Sequence, residues 1–121
     1  MASSPDYLNY VMDQLSQLDE LRSRRMFGGH GLYSGEVFFG IISNDTLYFK
    51  VGDGNRAEYQ TRGMRPFSPY VDRPRVSLSY FEVPPEVLED GDECREWARR
   101  AIAAAMAKRT IRSTRARRRP G

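Results

Sequence analysis

The chain has little of what reactive or covalently linked sites are made from. Its 121 residues include one cysteine, one histidine and one tryptophan. The single cysteine, Cys94, excludes an intramolecular disulfide and any metal site built from several cysteines. Because this cysteine usage fits a reducing compartment, we expect a cytoplasmic protein.

Long apolar runs are missing as well. The longest fall far short of the roughly 20 residues that a helix needs to cross a bilayer. The N-terminus carries a helix-cap signal, where a secretion signal would have a basic segment and then an apolar one. We therefore expect a soluble intracellular chain with no membrane partner, and its length is that of one domain.

Charge is unevenly distributed along the chain. The formal net charge is +3, from 19 basic and 16 acidic residues. Seven of the basic residues and none of the acidic ones follow residue 107, which leaves 12 basic against 16 acidic residues in 1–107, a net charge of −4. The seven are Lys108, Arg109, Arg112, Arg115, Arg117, Arg118 and Arg119. Since the average field of the body repels a polyanion, any non-specific hold on nucleic acid should come from this basic tail.

A helix is predicted near the N-terminus. Ser4 is a good N-cap, and Pro5 suits the first helical position. Apolar residues then recur with the helical period, which predicts a helix to about Leu21 with one face on the core. They are Leu8, Val11, Met12, Leu15 and Leu18.

Three β-rich segments follow, separated by short polar breaks. They cover Arg25 to Tyr33, Glu36 to Ser43 and Thr46 to Val51. Two-residue breaks such as Ser34-Gly35 and Asn44-Asp45 favour hairpins, so the pattern predicts an antiparallel three-stranded meander.

The next stretch is predicted to hold a short helix and one or two strands. Asn55 should cap a helix over about Arg56 to Arg62, which Gly63 ends in a left-handed conformation. Arg75 to Val83 alternates as a strand does, and a shorter strand is predicted within Met64 to Tyr70.

A last helix is predicted to start at Asp92 or Glu93, with an apolar stripe from Trp97 to Met106. The stripe ends near residue 107, so we predict a domain over residues 1–107 and a disordered basic tail over 108–121. The element order predicts a two-layer α+β domain, with an antiparallel sheet of four to five strands and helices packed on one face.

Gly28-Gly29-His30-Gly31 is the candidate ligand-binding segment, with Arg25 beside it. A phosphate-binding loop leads from a strand into a helix N-terminus, but a β-like segment follows here. We therefore interpret the glycines as a bulge or a close backbone approach, and His30 as a turn residue. Binding of an anionic ligand by Arg25, His30 and the glycines is the alternative.

Other residues allow more than one interpretation. Cys94 is interpreted as an inert thiol, although a helix N-terminus could lower its pKa. Glu82, Glu86, Glu89, Asp90, Asp92, Glu93 and Glu96 form an acidic band. We interpret this band as solvated and helix-stabilising, with a metal site or a docking surface for a basic partner as alternatives.

Paired aromatics in the strands place rings on both sheet faces, so the helix-free face should meet a loop or a second subunit.

Four blocks of sequence, taken together, resemble the N-terminal domain of the TfoX/Sxy family of bacterial competence regulators. They are Arg24-Arg25-Met26-Phe27-Gly28-Gly29-His30-Gly31-Leu32-Tyr33, Leu47-Tyr48-Phe49-Lys50-Val51, Gly63-Met64-Arg65-Pro66-Phe67 and Ser79-Tyr80-Phe81-Glu82-Val83-Pro84. The resemblance spans about residues 20 to 107. It implies a two-layer α+β fold related to that of secretion chaperones.

The resemblance also implies a role in gene regulation, with the transcription machinery as partner. Full-length members promote natural transformation together with the cyclic-AMP receptor protein, and they carry a second helical domain where this sequence has its arginine-rich tail. The resemblance implies no catalytic residue at any position of this sequence. We expect no cofactor and no metal.

Two functions follow as hypotheses. The first is a non-enzymatic regulatory or protein-interaction module, with a homodimer as one arrangement and with a tail that holds nucleic acid non-specifically. The second is a small enzyme or anion-binding protein that uses Gly28 to Gly31 and His30.

Overall fold

A computed structural model describes residues 4–26, 28–68 and 77–118, with the side chains of 77, 78 and 108–118 outside the description. The elements are α1 (Pro5–Gln14), β1 (Leu21–Met26), β2 (Gly29–Ser34), β3 (Val37–Ser43), β4 (Thr46–Lys50), α2 (Arg56–Thr61), β5 (Pro66–Phe67), β6 (Ser77–Glu82), α3 (Pro85–Glu89) and α4 (Gly91–Arg118). This composition confirms the predicted α+β class.

The first helix begins where the sequence predicts and ends earlier. The Tyr7 N–H donates to the Ser4 hydroxyl at 3.2 Å, and Pro5 opens the helix. The predicted end at Leu21 is wrong, because α1 stops at Gln14 and turns follow. Leu15 and Leu18 still reach the core from these turns, at 0% and 8% exposure. The spacing of these two leucines therefore matches the helical period although they do not belong to a helix.

The segment predicted as one bent strand from Arg25 to Tyr33 is a hairpin. β1 pairs with β2 over its whole length, from Leu21 opposite Ser34 to Met26 opposite Gly29. The turn contains Gly28, whose φ of +75° suits glycine. Phe27 of the resemblance block lies outside the described residues.

The described strands form one antiparallel sheet of six, in the order β1-β2-β3-β4-β6-β5. The predicted count of four to five is corrected by β1, which was not predicted as a separate strand. The shorter strand predicted within Met64 to Tyr70 is present as β5, with two residues. The meander β2-β3-β4 is present, with one irregularity where Phe39 has no counterpart between Leu32 and Tyr33. Residues 69, 70, 75 and 76 of the predicted strands lie outside the description.

The helices pack on one face of the sheet, as predicted. A row of paired residues crosses five strands on that face: Ser23, Leu32, Gly40, Phe49 and Phe81. Leu32 and Phe49 are fully buried and share the core with Val11 of α1 and Ala98 of α4. The two-layer architecture therefore rests on a core between this sheet face and the helices.

The turn before α2 uses Asn55 differently from the prediction. Asn55 occupies the N-cap position, but its side chain makes no cap hydrogen bond. Its amide accepts from the Gly52 N–H at 2.8 Å and donates to the Lys50 carbonyl at 3.0 Å. Asn55 therefore closes the turn behind β4. Gly63 follows α2 with φ +67°, as predicted.

The last helix, α4, starts at Gly91, one residue before the predicted start. The Asp90 carboxylate accepts from the Asp92 and Glu93 N–H groups, which satisfies donors that the first turn leaves free. The helical backbone continues to Arg118, past the predicted domain boundary at residue 107. Ala, Lys and Arg favour helix, and they fill much of this segment. The division into 1–107 and 108–121 stays a prediction.

None of the helices within residues 4–26, 28–68 and 77–118 combines the length and the apolar character that crossing a membrane requires.

Candidate functional site

The packing around the candidate ligand-binding segment requires glycine at two of its positions. A Cβ on Gly29 would lie 2.0 Å from the Ile42 carbonyl oxygen, so β2 and β3 approach too closely for a side chain. A Cβ on Gly31 would lie 2.6 Å from the Met26 methyl and 2.9 Å from the Phe38 ring. The close backbone approach predicted for this segment is therefore present at Gly29, whereas at Gly31 side chains occupy the space that a Cβ would need. β2 follows the turn, so the amides do not open a helix as they do in a phosphate loop.

The predicted turn position of His30 is wrong, because this residue lies in strand β2. The hairpin places Arg25 and His30 side by side. They are direct partners in the β1–β2 register, so both lie on the helix-covered face of the sheet. Arg25 is exposed and His30 is half-buried. The His30 Nδ1 is buried and has no hydrogen-bond partner among the described residues. The two residues chosen from the sequence are therefore together, and anion binding between them stays a prediction.

The sheet separates the arginines of the hairpin from those that follow α2. β1 and β5 lie at opposite edges, five strand spacings or about 24 Å apart. Arg65 directly precedes β5. Arg62 pairs with Glu86 at 3.0 Å, and its guanidinium lies 5.1 Å from the centre of the Trp97 ring. The described arginines of the two groups therefore do not form a single basic patch.

Cys94 is buried in the core on the first turns of α4. Its exposure is 0%, and burial raises the pKa of the thiol to about 12, an effect that outweighs the opposing influence of Arg95. Desolvation disfavours a thiolate at this position. The structure therefore supports an inert thiol.

The acidic band is partly paired and partly used to start α4. Glu86 pairs with Arg62, Asp92 pairs with Arg95, and Glu96 lies 3.4 Å from Arg100. Together with the cap made by Asp90, these contacts support the helix-stabilising interpretation. Within the described ranges, no group of three or more His, Cys, Asp or Glu side chains could hold a metal ion.

A corner between α2 and α4 was not foreseen from the sequence. The Tyr59 ring meets the Trp97 ring edge-on at 4.9 Å, and it also approaches Phe81 at 6.1 Å. The Tyr59 hydroxyl is buried without a hydrogen-bond partner, and burial raises the pKa of this phenol. The pair Glu58–Arg100 lies beside it at the protein surface. No sequence signal joins residues so far apart in the chain.

The helix-free face of the sheet carries a row of aromatic rings. Tyr33, Phe38 and Tyr80 follow one another with centroids 5.1 and 5.6 Å apart. The Lys50 ammonium lies 5.1 Å from the centre of the Tyr80 ring. Aromatics therefore occupy both faces, as predicted. Lys50 is only 8% exposed, so this end of the row is covered.

The described residues also line a groove of about 300 Å³ between the α1–β1 turns and α4. Leu18 and Ile102 form its apolar part, and Asp19, Ser34 and Arg99 form its polar rim. The Ser34 hydroxyl donates to the Asp19 carbonyl at 2.7 Å. Some of the polar groups that line this groove therefore already form hydrogen bonds with one another.

The matching family model is that of the TfoX N-terminal domain, over residues 13–105. This match confirms the resemblance identified from the four sequence blocks. No curated protein matches the chain.

Proposed function

Because the chain belongs to the family of TfoX N-terminal domains, we propose that it is a non-enzymatic regulatory module that acts by binding other macromolecules. The family supports a regulatory or interaction role at this coarse level. Two features of the chain agree with a role outside catalysis: the sequence holds no assembled catalytic motif, and burial keeps Cys94 a neutral thiol. The partner expected from the family resemblance is the transcription machinery.

The observation that carries the proposal is the distribution of charge along α4. Residues 1–107 have a net charge of −4, and the helix continues from them into the basic segment as far as Arg118. Lys108, Arg112 and Arg115 occupy positions i, i+4 and i+7, which share one face of a helix. Such a helix offers phosphates a line of positive charge that the acidic body does not provide.

Binding to labelled duplex and single-stranded DNA, measured by fluorescence anisotropy over a range of salt concentrations, tests the nucleic-acid part. Seven basic residues predict a slope of log K against log salt of up to about −6 for a duplex. The triple variant K108Q/R112Q/R115Q should lose affinity and flatten the slope. R65Q/R99Q/R100Q removes the same charge from exposed arginines of the body and should bind nearly as the parent does.

The truncation 1–107 leaves in place every buried hydrophobic side chain that the structure describes, since the last of these is Ala105. It should bind neither form of DNA. Sequence-specific binding that survives in this truncated chain would contradict the proposal.

Recovery from a nuclease-treated native lysate tests the protein partner. The full chain and residues 1–107 serve as baits, and mass spectrometry identifies what each retains. Both baits should retain the same component of the transcription machinery, because the proposed protein interface is on the body. If neither bait retains a specific protein, the regulatory role loses its support.

The anion-binding alternative has one observation in its favour. His30 has an unpartnered buried Nδ1 and lies opposite the exposed Arg25. A ligand held there should raise the melting temperature with inorganic phosphate or a panel of carboxylates. His30→Ala should abolish the shift, and Arg65→Ala, at the far edge, should keep it. No shift across the panel would remove this alternative.

A further inference from the structure

Among the strands that the structure describes, β1 is an edge strand with one unpaired side. Its one partner there is β2, and all six residues of β1 take part in that ladder. A long edge strand presents a row of backbone donors and acceptors to which another strand can be added. Its sequence, Leu-Arg-Ser-Arg-Arg-Met, contains no proline.

The register shows which backbone groups face outward. The Gly35 N–H donates to the Glu20 carbonyl at 2.9 Å, just beyond the strand ends. Hydrogen-bonded pairs alternate along an antiparallel ladder, so Arg22, Arg24 and Met26 bond to β2. The N–H and C=O groups of Leu21, Ser23 and Arg25 point away from the sheet. β1 therefore offers three residues for pairing with a further strand.

The side chains of this edge carry positive charge. Arg22, Arg24 and Arg25 are all exposed. The Arg22 guanidinium donates to the Gly35 carbonyl at 2.7 Å. Arg24 and Arg25 are in none of the ion pairs found among the described residues. Arg22 and Arg24 lie on the helix-free face beside Tyr33 and Gly31, and Arg25 lies on the other face.

These charges select the occupant. A second copy paired antiparallel through β1 would bring its arginines against these, and like charges opposite each other on strands are destabilising. Arginines on an edge thus discourage self-association while they attract carboxylates. We propose that β1 is the docking site for an extended acidic segment of a partner protein, which adds to the sheet as a seventh strand.

The proposal defines the pattern of the partner segment. Side chains alternate across a strand, so carboxylates at alternate positions would meet Arg22 and Arg24 together on one face. It rests on the proposed function, since it names the surface and the partner chemistry of that interaction module. It can fail while the nucleic-acid binding of α4 holds, because the two use different residues.

The test uses the full chain and a labelled synthetic peptide in which glutamate alternates with valine. A peptide of the same charge with a central proline cannot complete the strand pairing, and a peptide with lysine in place of glutamate reverses the charge. Only the first peptide should bind. Its binding should slow amide exchange at Leu21, Ser23 and Arg25 much more than at Arg22 and Arg24, which already bond to β2.

Two variants separate backbone from charge. Ser23→Pro removes an outward N–H and leaves the β1–β2 ladder intact, and Arg24→Glu reverses one charge of the edge. Each should weaken peptide binding about tenfold. Arg65→Glu makes the same charge change at the opposite edge and should bind the peptide as the parent does. All three should bind DNA nearly as the parent does. If circular dichroism shows that Ser23→Pro does not fold, Arg24→Glu and the pattern of amide exchange still test the proposal.

Three results would overturn the proposal. The first is equal binding of the proline peptide, which would show that charge alone is recognised. The second is a dimer in analytical ultracentrifugation that Ser23→Pro or Arg24→Glu disrupts, which would assign the edge to a second copy. The third is a loss of DNA affinity in Arg24→Glu as large as that of K108Q/R112Q/R115Q, which would assign the arginines to nucleic acid.

Discussion

β1 and β5 lie at the two edges of one sheet, and they differ in length, in composition and in the regularity of their strand pairing. β1 is six residues long and rich in arginine. β5 has two residues, begins with Pro66 and pairs with β6 through a register shift. Phe67 is 6% exposed, and its ring meets Tyr48 edge-on at 4.9 Å.

The β5 edge combines three features that prevent strand addition: short length, proline and an irregular ladder. The β1 edge has a regular ladder, and among the described residues its arginines are the one feature that opposes strand addition. The geometry of β5 therefore blocks strand addition at one side of the sheet, whereas at the β1 side like charges repel a basic strand and leave the edge open to a strand of opposite charge.

The largest effect is expected at the closed edge. Phe67→Ala should lower the free energy of unfolding by about 3 kcal/mol, because it removes a buried ring and leaves a cavity beside Tyr48. Urea unfolding measures the loss. Tyr10→Ala removes an aromatic side chain that is 40% exposed on α1 and should change stability by about 0.5 kcal/mol or less. Similar losses for both variants would show that the β5 edge is not held by the packing of Phe67.

A somewhat smaller effect is expected on the β1 side. Gly29→Ala places a methyl group 2.0 Å from the Ile42 carbonyl oxygen, so β2 must move away from β3. We expect a loss of about 2 kcal/mol in the free energy of unfolding. Gly54→Ala is the matched control, because a Cβ there would have no atom within 4 Å. Equal melting temperatures for the two variants would contradict the close approach of β2 to β3 at Gly29.

The smallest effect appears at alkaline pH and concerns the β5 side. Burial raises the pKa of Tyr80, on β6, from the ordinary value of 10.0 to about 12. The folded state thus disfavours the phenolate. The stability from this group is complete below pH 10 and is lost as the pH rises from 10 to about 12. Tyr80→Phe should reduce this alkaline loss of stability, as measured by urea unfolding at successive pH values. An unchanged loss would contradict the burial of Tyr80.

The β1 edge was missed in the sequence for a physical reason. Central strands bury residues, so β3 and β4 carry apolar residues that predicted them to within one residue of their ends. An edge strand needs few apolar residues, and Arg22, Ser23, Arg24 and Arg25 read as polar linker. Leu15 and Leu18 lie in turns but are buried, and their spacing matches the helical period. The predicted helix was therefore extended to Leu21, the first residue of β1.

The candidate site was predicted in part. Gly29 gave a correct signal for a close backbone approach, because any other residue would place a Cβ against the Ile42 carbonyl oxygen. The pairing of Arg25 with His30 depends on the hairpin, which was read as one strand. The position of β1 at an edge, and the distance from Arg25 to Arg65, depend on long-range strand order. Local sequence patterns do not encode that order.

The α2–α4 corner gives this protein its own optical reporter. Trp97 is the chain's one tryptophan, 4% exposed, and it contacts Tyr59 and Arg62. Its emission should therefore be blue-shifted in the folded protein and red-shifted on unfolding. The corner packs against β6 and lies away from β1, so the emission should stay constant when a strand docks at β1. Intrinsic fluorescence thus separates loss of the fold from occupation of the edge in a single sample.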